Sequence, residues 1–309
     1  MASRIWLIAG PTASGKSALA VRLAEAVGGE VIGADALQIY RDLPVLTAIP
    51  DLAERRGVPH HLVGVADAAD GGSVGRWLAQ AQAVLARLRE AGRDAIIAGG
   101  TGLYFAALTD GLAEIPPVPA DVRARATEAF DAGGEPAFRA RLAQVDPAAS
   151  ERILLGDRQR LVRALEVFLA TGKALSDWQA ETRGGLTPGA WRSVRLMPPR
   201  PDLYARCDAR FGTMAASGAL EEVRDLVARG LDPALPAMKA VGLRPLAAHL
   251  AGDLSLDAAL DAGRQETRNY AKRQEVWLRG RMASWPTITD LEAEAQWRSF
   301  LALNPDLTP

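Results

Sequence analysis

Residues 4–19 read Arg-Ile-Trp-Leu-Ile-Ala-Gly-Pro-Thr-Ala-Ser-Gly-Lys-Ser-Ala-Leu. A short apolar run precedes the pattern Gly-x-x-x-x-Gly-Lys-Ser, and a helical pattern follows it, which is the context that a phosphate-binding loop needs. The glycines let successive backbone N–H groups point inward, while the helix start and the lysine add positive charge. A serine hydroxyl at the end of such a loop binds hydrated Mg²⁺. We therefore predict a diphosphate or nucleotide cradle with Ser17 as the metal ligand. Its residues are Gly10, Pro11, Thr12, Ala13, Ser14, Gly15, Lys16 and Ser17.

The amino-acid composition limits the classes of protein to which the chain can belong. The chain has 309 residues with 49% hydrophobic and 24% charged residues, ordinary values for a globular protein. The single cysteine, Cys207, excludes a disulfide framework and fits a reducing compartment. We find neither a signal-peptide pattern nor an apolar run of about 18 residues, so we expect a cytoplasmic protein without a membrane span. A net charge of −1 argues against indiscriminate nucleic-acid binding but allows a local basic face.

Two further predicted strands are followed by residues that suit catalysis or ligand binding. Asp35 follows a short predicted strand, residues 30–34, and the loop Gly99-Gly100-Thr101-Gly102 follows the apolar stretch 95–98. The carboxyl ends of parallel strands line the ligand crevice of such a sheet. Asp35 there suits a general base or a residue that holds Mg²⁺ through water, although a turn-capping role is the alternative. Many nucleotide hydrolases have an aspartate where this second strand has glycines, which counts against a plain ATPase.

The alternation of strands and helices predicts an α/β fold, a parallel sheet of the P-loop NTPase type flanked by helices. A proline cluster at 115–119 marks a boundary. From there to about residue 190 the pattern is helical and rich in arginine, which predicts an all-helical insertion. We therefore expect a catalytic core of residues 1–114 and 191–309, and an insertion of residues 115–190. The adjacent His60 and His61 lack the spacing of a helical metal pair, so we interpret them as structural.

A long helix is predicted from Leu256 to about Trp285. Along it Arg264, Arg268 and Lys272 recur every four residues and share one face. Between residues 264 and 281 six cations stand against two acids, a net charge of +4. This face predicts a track for nucleic-acid phosphates, with an ordinary solvated face as the alternative.

Several segments together resemble the bacterial tRNA dimethylallyltransferase family, in the family's order and over about residues 5–285. The matching segments are Gly-Pro-Thr-Ala-Ser-Gly-Lys-Ser (10–17), Asp-Ala-Leu-Gln-Ile-Tyr-Arg (35–41), Val-Pro-His-His-Leu (58–62), Gly-Gly-Thr-Gly-Leu-Tyr-Phe (99–105), Asp-Arg-Gln-Arg-Leu-Val-Arg-Ala-Leu-Glu-Val (157–167) and Thr-Arg-Asn-Tyr-Ala-Lys-Arg-Gln (267–274).

The resemblance implies transfer of a dimethylallyl group from dimethylallyl diphosphate to N6 of the adenosine 3′-adjacent to the anticodon, position 37, in tRNAs that read codons beginning with U. The cradle would then bind a leaving diphosphate with Mg²⁺, and the adenosine would be flipped out of its stack. Whether ATP also binds this loop stays open. The implied catalytic residues are Lys16, Asp35, Thr101 and Arg210. The predicted partners are the tRNA anticodon stem-loop and dimethylallyl diphosphate, with the protein acting as a monomer.

Predicted tRNA contacts come from three parts of the chain. They are Asp35, Ala36, Leu37, Gln38 and Thr101 near the cradle, Arg123, Gln159, Arg160, Leu161, Val162 and Arg163 in the insertion, and Arg268 and Lys272 on the long helix. Two alternatives are a P-loop kinase of a small molecule and a non-catalytic, nucleotide-regulated RNA-binding protein. A kinase would be expected to carry a compact lid with arginines, and a binding-only protein would leave Asp35 and Thr101 without a role.

Overall fold

A computed structural model describes residues 3–307 of the chain. The chain forms two units, unit 1 from residues 1–109 and 187–309, and unit 2 from residues 110–186. The sequence predicted the corresponding boundaries at 114/115 and 190/191. None of the helices in residues 3–307 is long and apolar enough to cross a membrane.

Unit 1 begins with an alternation of strands and helices and continues, after unit 2, as a mainly helical segment. Its first elements are β1 (Ile5–Ala9), α1 (Lys16–Val27), β2 (Glu30–Gly33), α2 (Leu52–Arg55), β3 (His60–His61), α3 (Val74–Glu90), β4 (Ala95–Gly99) and α4 (Gly102–Thr109). Unit 2 supplies β5 (Gly111–Leu112), α5 (Ala120–Val145), α6 (Pro147–Arg152), α7 (Arg158–Thr171), α8 (Leu175–Ala180) and β6 (Arg183–Gly184). Unit 1 resumes with β7 (Trp191–Leu196), α9 (Arg200–Met214), α10 (Leu220–Ala228), α11 (Leu243–Leu250), α12 (Leu256–Arg281), β8 (Thr287–Ile288) and α13 (Ala293–Leu303).

The sheet of unit 1 confirms the predicted parallel α/β core. In the described part of the chain it has the strand order β3-β2-β4-β1-β7-β8, and all neighbouring strands are parallel. The central strand β1 pairs with β4 on one side and with β7 on the other. Because β1 and β4 are covered on both faces, their residues form apolar runs rather than an alternating pattern.

Two apolar clusters hold the sheet and helices of unit 1 together. One joins the sheet to α1 and α13, with Trp6, Leu23 and Phe300 fully buried. The other joins the segment 39–46 to the carboxyl-terminal helices through Phe211, Leu226 and Leu246. The second cluster lies next to the end of the sheet where the predicted site residues are found.

Unit 2 is built from four helices around its own core, in which Phe138, Leu142 and Leu165 are buried. Helix α5 has a kink at Gly134, whose φ of 66° is non-helical. The prediction of an all-helical insertion was wrong in one detail, because β5 and β6 form a two-residue antiparallel pair within this unit. That pair joins the two ends of the unit, and two-residue strands leave no periodic signal in a sequence.

The carboxyl terminus differs from the prediction in two ways. Helix α12 ends at Arg281, and a short strand and a further helix, β8 and α13, follow it. The predicted helix was extended to Trp285, which instead packs against the rings of Phe105 and Trp191. Neither β8 nor α13 was expected, since two strand residues and an eleven-residue helix give weak patterns.

Gly99 permits the close approach of β4 to the end of β2. A Cβ atom at this position would lie 2.0 Å from the carbonyl oxygen of Ala34. That carbonyl accepts a hydrogen bond from the Thr101 N–H at 3.1 Å. The absence of a side chain at Gly99 therefore lets Asp35 and Thr101, which follow the two strands, lie side by side.

We predict that Gly99→Ala destabilises the fold by roughly 3 kcal/mol, the upper part of the range for overpacking, because the methyl group meets backbone atoms that have no free space. Urea unfolding measures this free energy. Gly280→Ala is the matched control, because its Cβ meets nothing within 4 Å and it lies in a helix, where alanine stabilises by up to about 1 kcal/mol. Equal midpoints for the two variants would contradict the close-approach argument.

Candidate active site

Predicted site residues from the cradle, from the segment after β2 and from α9 line one cleft at the carboxyl ends of the strands, whereas Thr101, Arg268 and Lys272 do not line it. The cradle follows β1, Asp35 follows β2, and Gly100 and Thr101 follow β4. The cleft, about 640 Å³ including the space at its open mouth, is lined by Thr12, Lys16, Ser17, Asp35, Leu37, Gln38, Leu46, Thr47, Ala48, Cys207, Arg210, Phe211, Met214, Val241, Thr267 and Tyr270. This location is the one that the strand order predicts for a ligand.

The cradle has the backbone conformation of an anion-binding loop. Ala13 and Gly15 have positive φ values of 65° and 93°, which turn the chain into the start of α1. Among residues 3–307, no hydrogen bond is made by the N–H groups of Ala13, Gly15, Lys16 or Ser17. These N–H groups at a helix start are therefore available to an anionic ligand.

Two buried glutamines hold the cradle from outside it, and the sequence interpretation missed both roles. Gln274 of α12 accepts a hydrogen bond from the Thr12 N–H at 2.8 Å and donates one to the Gly100 carbonyl at 3.0 Å. Gln296 of α13 donates to the Ser14 carbonyl at 2.7 Å and to the Asp290 carbonyl at 2.9 Å. Gln274 therefore ties the cradle to the glycine-rich loop, and Gln296 ties it to the carboxyl-terminal helix. Gln274 is the last residue of the segment 267–274, which matches the family. The residues around either glutamine form no sequence pattern that would predict its contact with the cradle.

Lys16 is buried in the cleft and its ammonium group donates to the Pro11 carbonyl at 3.2 Å. Burial lowers the pKa of Lys16 from 10.5 to about 8, and the Asp35 carboxylate opposes this shift while the Arg210 guanidinium adds to it. The cost of burying this cation falls as pH rises from about 8 toward 10.5, because the unfolded chain binds the proton more tightly. An anion in the cleft would remove the same cost by stabilising the charged form.

Asp35 and Thr101 occupy adjacent positions in the site. The Asp35 carboxylate is mostly buried and accepts the Leu37 N–H at 3.0 Å through Oδ1. The Thr101 hydroxyl accepts the Ala36 N–H at 2.9 Å. Tyr270 of α12 closes this part of the cleft, and burial raises its pKa, with the Asp35 charge adding to the rise. Tyr270 thus stays a neutral phenol beside the carboxylate.

Arg210 of α9 reaches the cradle. Its guanidinium donates to the Thr12 hydroxyl, while its Nε is buried without a partner among the described residues. The Ser14 hydroxyl in the cradle is likewise buried without a partner. Arg210 lines the cleft, so its unpaired donor can be completed there by an anionic ligand.

The predicted basic face of α12 is largely paired within the protein. Arg268 makes two 2.6 Å bonds to Asp208, and Arg264 binds Asp261 at 2.9 Å. Lys272 is exposed, with no acidic partner within 4.0 Å among residues 3–307. Of the three cations that share this face, Lys272 therefore has the charge least neutralised by the protein.

Two of the predicted tRNA-contacting residues of unit 2 are in its core. Leu161 and Val162 are 0% and 8% exposed, so their side chains are not available to a partner. We predicted them because the whole segment 159–163 matches the resemblance, which does not separate the two faces of a helix. Gln159 and Arg160 are exposed on α7. Arg123 and Arg163 both pair with the buried carboxylate of Glu166, at 3.6 and 2.6 Å.

The histidine pair has structural contacts. His61 hydrogen-bonds Glu30 at 2.5 Å, and His60 meets the Val58 carbonyl at 2.9 Å. Within the described range 3–307, we find no cluster of three or more histidine, cysteine, aspartate or glutamate side chains that could hold a metal ion. A cation at this site would therefore depend on a hydroxyl such as that of Ser17 and on ligand oxygens.

Comparison with known proteins identifies the family. The IPP transferase family model matches residues 38–281, and the isopentenyl transferase family model matches residues 3–60. A tRNA dimethylallyltransferase of Phenylobacterium zucineum is 63% identical over the full length of both chains, and one of Caulobacter sp. is 57% identical over 97% of both. The chain belongs to the IPP transferase family.

Solved structures show the same relationship. The tRNA isopentenylpyrophosphate transferase of Bacillus halodurans is 29% identical with a TM-score of 0.70, over 99% of this chain and 96% of that one. A eukaryotic dimethylallyltransferase acting on tRNA is 25% identical with a TM-score of 0.83, over 98% of this chain and 79% of that one. The P-loop-like fold expected from the cradle is therefore shared with these transferases.

We predict that the affinity for inorganic pyrophosphate falls about tenfold or more as pH rises from 7 to 9, because Lys16 loses its proton near pH 8. Titration calorimetry at a series of pH values measures this dependence. In Lys16→Met the affinity is lower at pH 7, and the step near pH 8 is absent. If the affinity fell equally near pH 8 in the native protein and in Lys16→Met, the titrating group would be pyrophosphate and not Lys16.

Proposed function

We propose that this chain transfers a dimethylallyl group from dimethylallyl diphosphate to N6 of the adenosine 3′-adjacent to the anticodon, position 37, in tRNAs that read codons beginning with U. The products are N6-(dimethylallyl)adenosine and diphosphate. The observation that carries the proposal is the juxtaposition, in one cleft, of an anion cradle with a carboxylate and a partly apolar lining. Membership of the IPP transferase family supports the reaction type and does not favour the small-molecule kinase that the cradle alone allowed.

Asp35 is the proposed general base. An exocyclic amine of adenine is a poor nucleophile, because its lone pair is delocalised into the ring, so removal of its proton assists attack on the allylic carbon. The Leu37 N–H fixes Oδ1 of Asp35, and Oδ2 has no partner among the described residues. The Thr101 hydroxyl, held by the Ala36 N–H, would orient the amine beside this carboxylate.

The cradle stabilises the departing diphosphate in this proposal. Lys16, Arg210 and the free N–H groups at the start of α1 supply positive charge where negative charge develops on the leaving oxygen. The Ser17 hydroxyl lines the same cleft and fits a ligand of Mg²⁺. When bound, Mg²⁺ supplies further charge neutralisation to the diphosphate. We propose that the protein acts as a monomer, since each group named here comes from one chain.

Asp35→Asn is expected to lower turnover by about 10²-fold or more while tRNA affinity is retained, because asparagine keeps the shape and loses the base. The measurement is mass analysis of tRNA nucleosides after incubation of the protein with dimethylallyl diphosphate, Mg²⁺ and bulk tRNA. Asp202→Asn, an exposed aspartate outside the cleft, is the control and keeps full turnover. ATP consumption by the native protein without prenyl transfer would overturn the proposed function.

Lys272→Ala is expected to weaken tRNA binding and to reduce the slope of log K against log salt concentration by about 0.7–0.9, as for the loss of one phosphate contact. Binding titrations at several salt concentrations measure this slope, and Lys272→Arg, which keeps the charge, should retain it. Arg268→Ala should have the smaller effect, because Asp208 already neutralises that guanidinium. An unchanged slope in Lys272→Ala would mean that this face of α12 is only solvated.

A further inference from the structure

Helix α9 presents one continuous face to the cleft. Cys207, Arg210, Phe211 and Met214 all line it, at the i, i+3, i+4 and i+7 spacing that places side chains on the same side of a helix. The mechanism above uses only Arg210 of these four. The chemical character of the face changes along the helix, from cationic to apolar.

The amino-terminal end of this face lies against the cradle. Arg210 donates to the Thr12 hydroxyl, and the Cys207 sulfur lies 4.0 Å from the Thr12 carbonyl oxygen. A diphosphate held by the cradle therefore lies beside this level of α9. A short apolar chain attached to that diphosphate would extend to the next turn of α9.

The next turn of α9 forms an apolar compartment. Phe211 and Met214 line it together with Leu46 and Val241. The polar groups nearby are already satisfied: Thr47 and Thr267 donate to the carbonyls of Leu43 and Gly263, and Gln38 donates to those of Thr47 and Ala48. No free donor from these three side chains is directed at a ligand, so the compartment suits hydrocarbon.

The ring of Phe211 is fixed between two glycines. A Cβ atom on Gly242 would lie 2.3 Å from one ring carbon, and a Cβ atom on Gly263 would lie 2.1 Å from another. The ring thus packs against the backbone at the start of α11 and within α12, and it is 2% exposed. A side chain packed in this way acts as a rigid wall rather than a mobile gate.

We infer that Phe211 and Met214 limit the prenyl chain to a single five-carbon unit. The inference rests on the proposed function and names the specificity of the same cleft. Arg210 and Met214 are four residues apart, about 6 Å along the helix. With carbon–carbon bonds of about 1.5 Å, a dimethylallyl group fits this length, whereas a geranyl group extends well beyond Met214.

The test compares dimethylallyl and geranyl diphosphates as donors for native protein, Met214→Ala and Phe211→Leu. Both kcat/KM for transfer to tRNA and Kd from calorimetry are measured. Native protein should strongly prefer the five-carbon donor. Each variant should raise the geranyl-to-dimethylallyl ratio by about tenfold or more, the usual effect of opening an apolar pocket by a few carbon atoms.

Met238→Ala is the matched control. Met238 packs against the same apolar cluster but does not line the cleft, so its loss should leave the ratio unchanged even if stability falls. Equal use of both donors by native protein, or equal changes in all three variants, would overturn the inference. Binding of both diphosphates without transfer to tRNA would contradict the proposed function. In that case the ratio of the two Kd values would still test whether Phe211 and Met214 limit the length of the prenyl chain.

Discussion

The two hydrogen bonds of the Gln274 side chain connect the parts of the site that must act together. One fixes the Thr12 N–H of the cradle, and the other fixes the Gly100 carbonyl beside Thr101. The site thus depends on one buried amide, placed by α12 between the ends of β1 and β4. An amide suits this position because one end donates and the other accepts, without a charge that would compete with Lys16. Loss of either contact would leave a buried polar group unsatisfied as well as a loop unsupported.

Close packing at the carboxyl ends of β2 and β4 also holds parts of the site together. Gly99 brings β4 against Ala34, and the shared hydrogen bonds then place Asp35 and Thr101 side by side. Gln296 adds support from α13, which lies beyond the residues matched by the family models. The positions of the cradle, Asp35 and Thr101 are thus fixed by backbone contacts and buried amides.

Sequence patterns predicted what is local and missed what is distant. The cradle, Asp35 and Thr101 each follow an apolar strand, so short-range pattern was sufficient to place them at one edge of a parallel sheet. The contact of Gln274 with Thr12 spans 262 positions of the sequence, and that of Gln296 with Ser14 spans 282. The periodicity of a sequence does not show contacts between residues so far apart. Helical spacing likewise put Arg268 on a basic face, but it could not show that Asp208 of α9 neutralises it. Burial of Leu161 and Val162 was missed for a similar reason, since a motif match covers both faces of α7.

The electrostatics of the cleft favour an anion before any ligand arrives. Lys16 and Arg210 are both held near Thr12, and Asp35 is the neighbouring carboxylate that acts on both. Burial lowers the pKa of both cations, and a polyanion would relieve the desolvation cost of burying these charges. If Asp35 formed a tight ion pair with Lys16, that cost would be lower, but the carboxylate would no longer be available as a base. In the proposed reaction, the separation of cradle and carboxylate would keep the cradle charge for the leaving group and the carboxylate for the incoming amine.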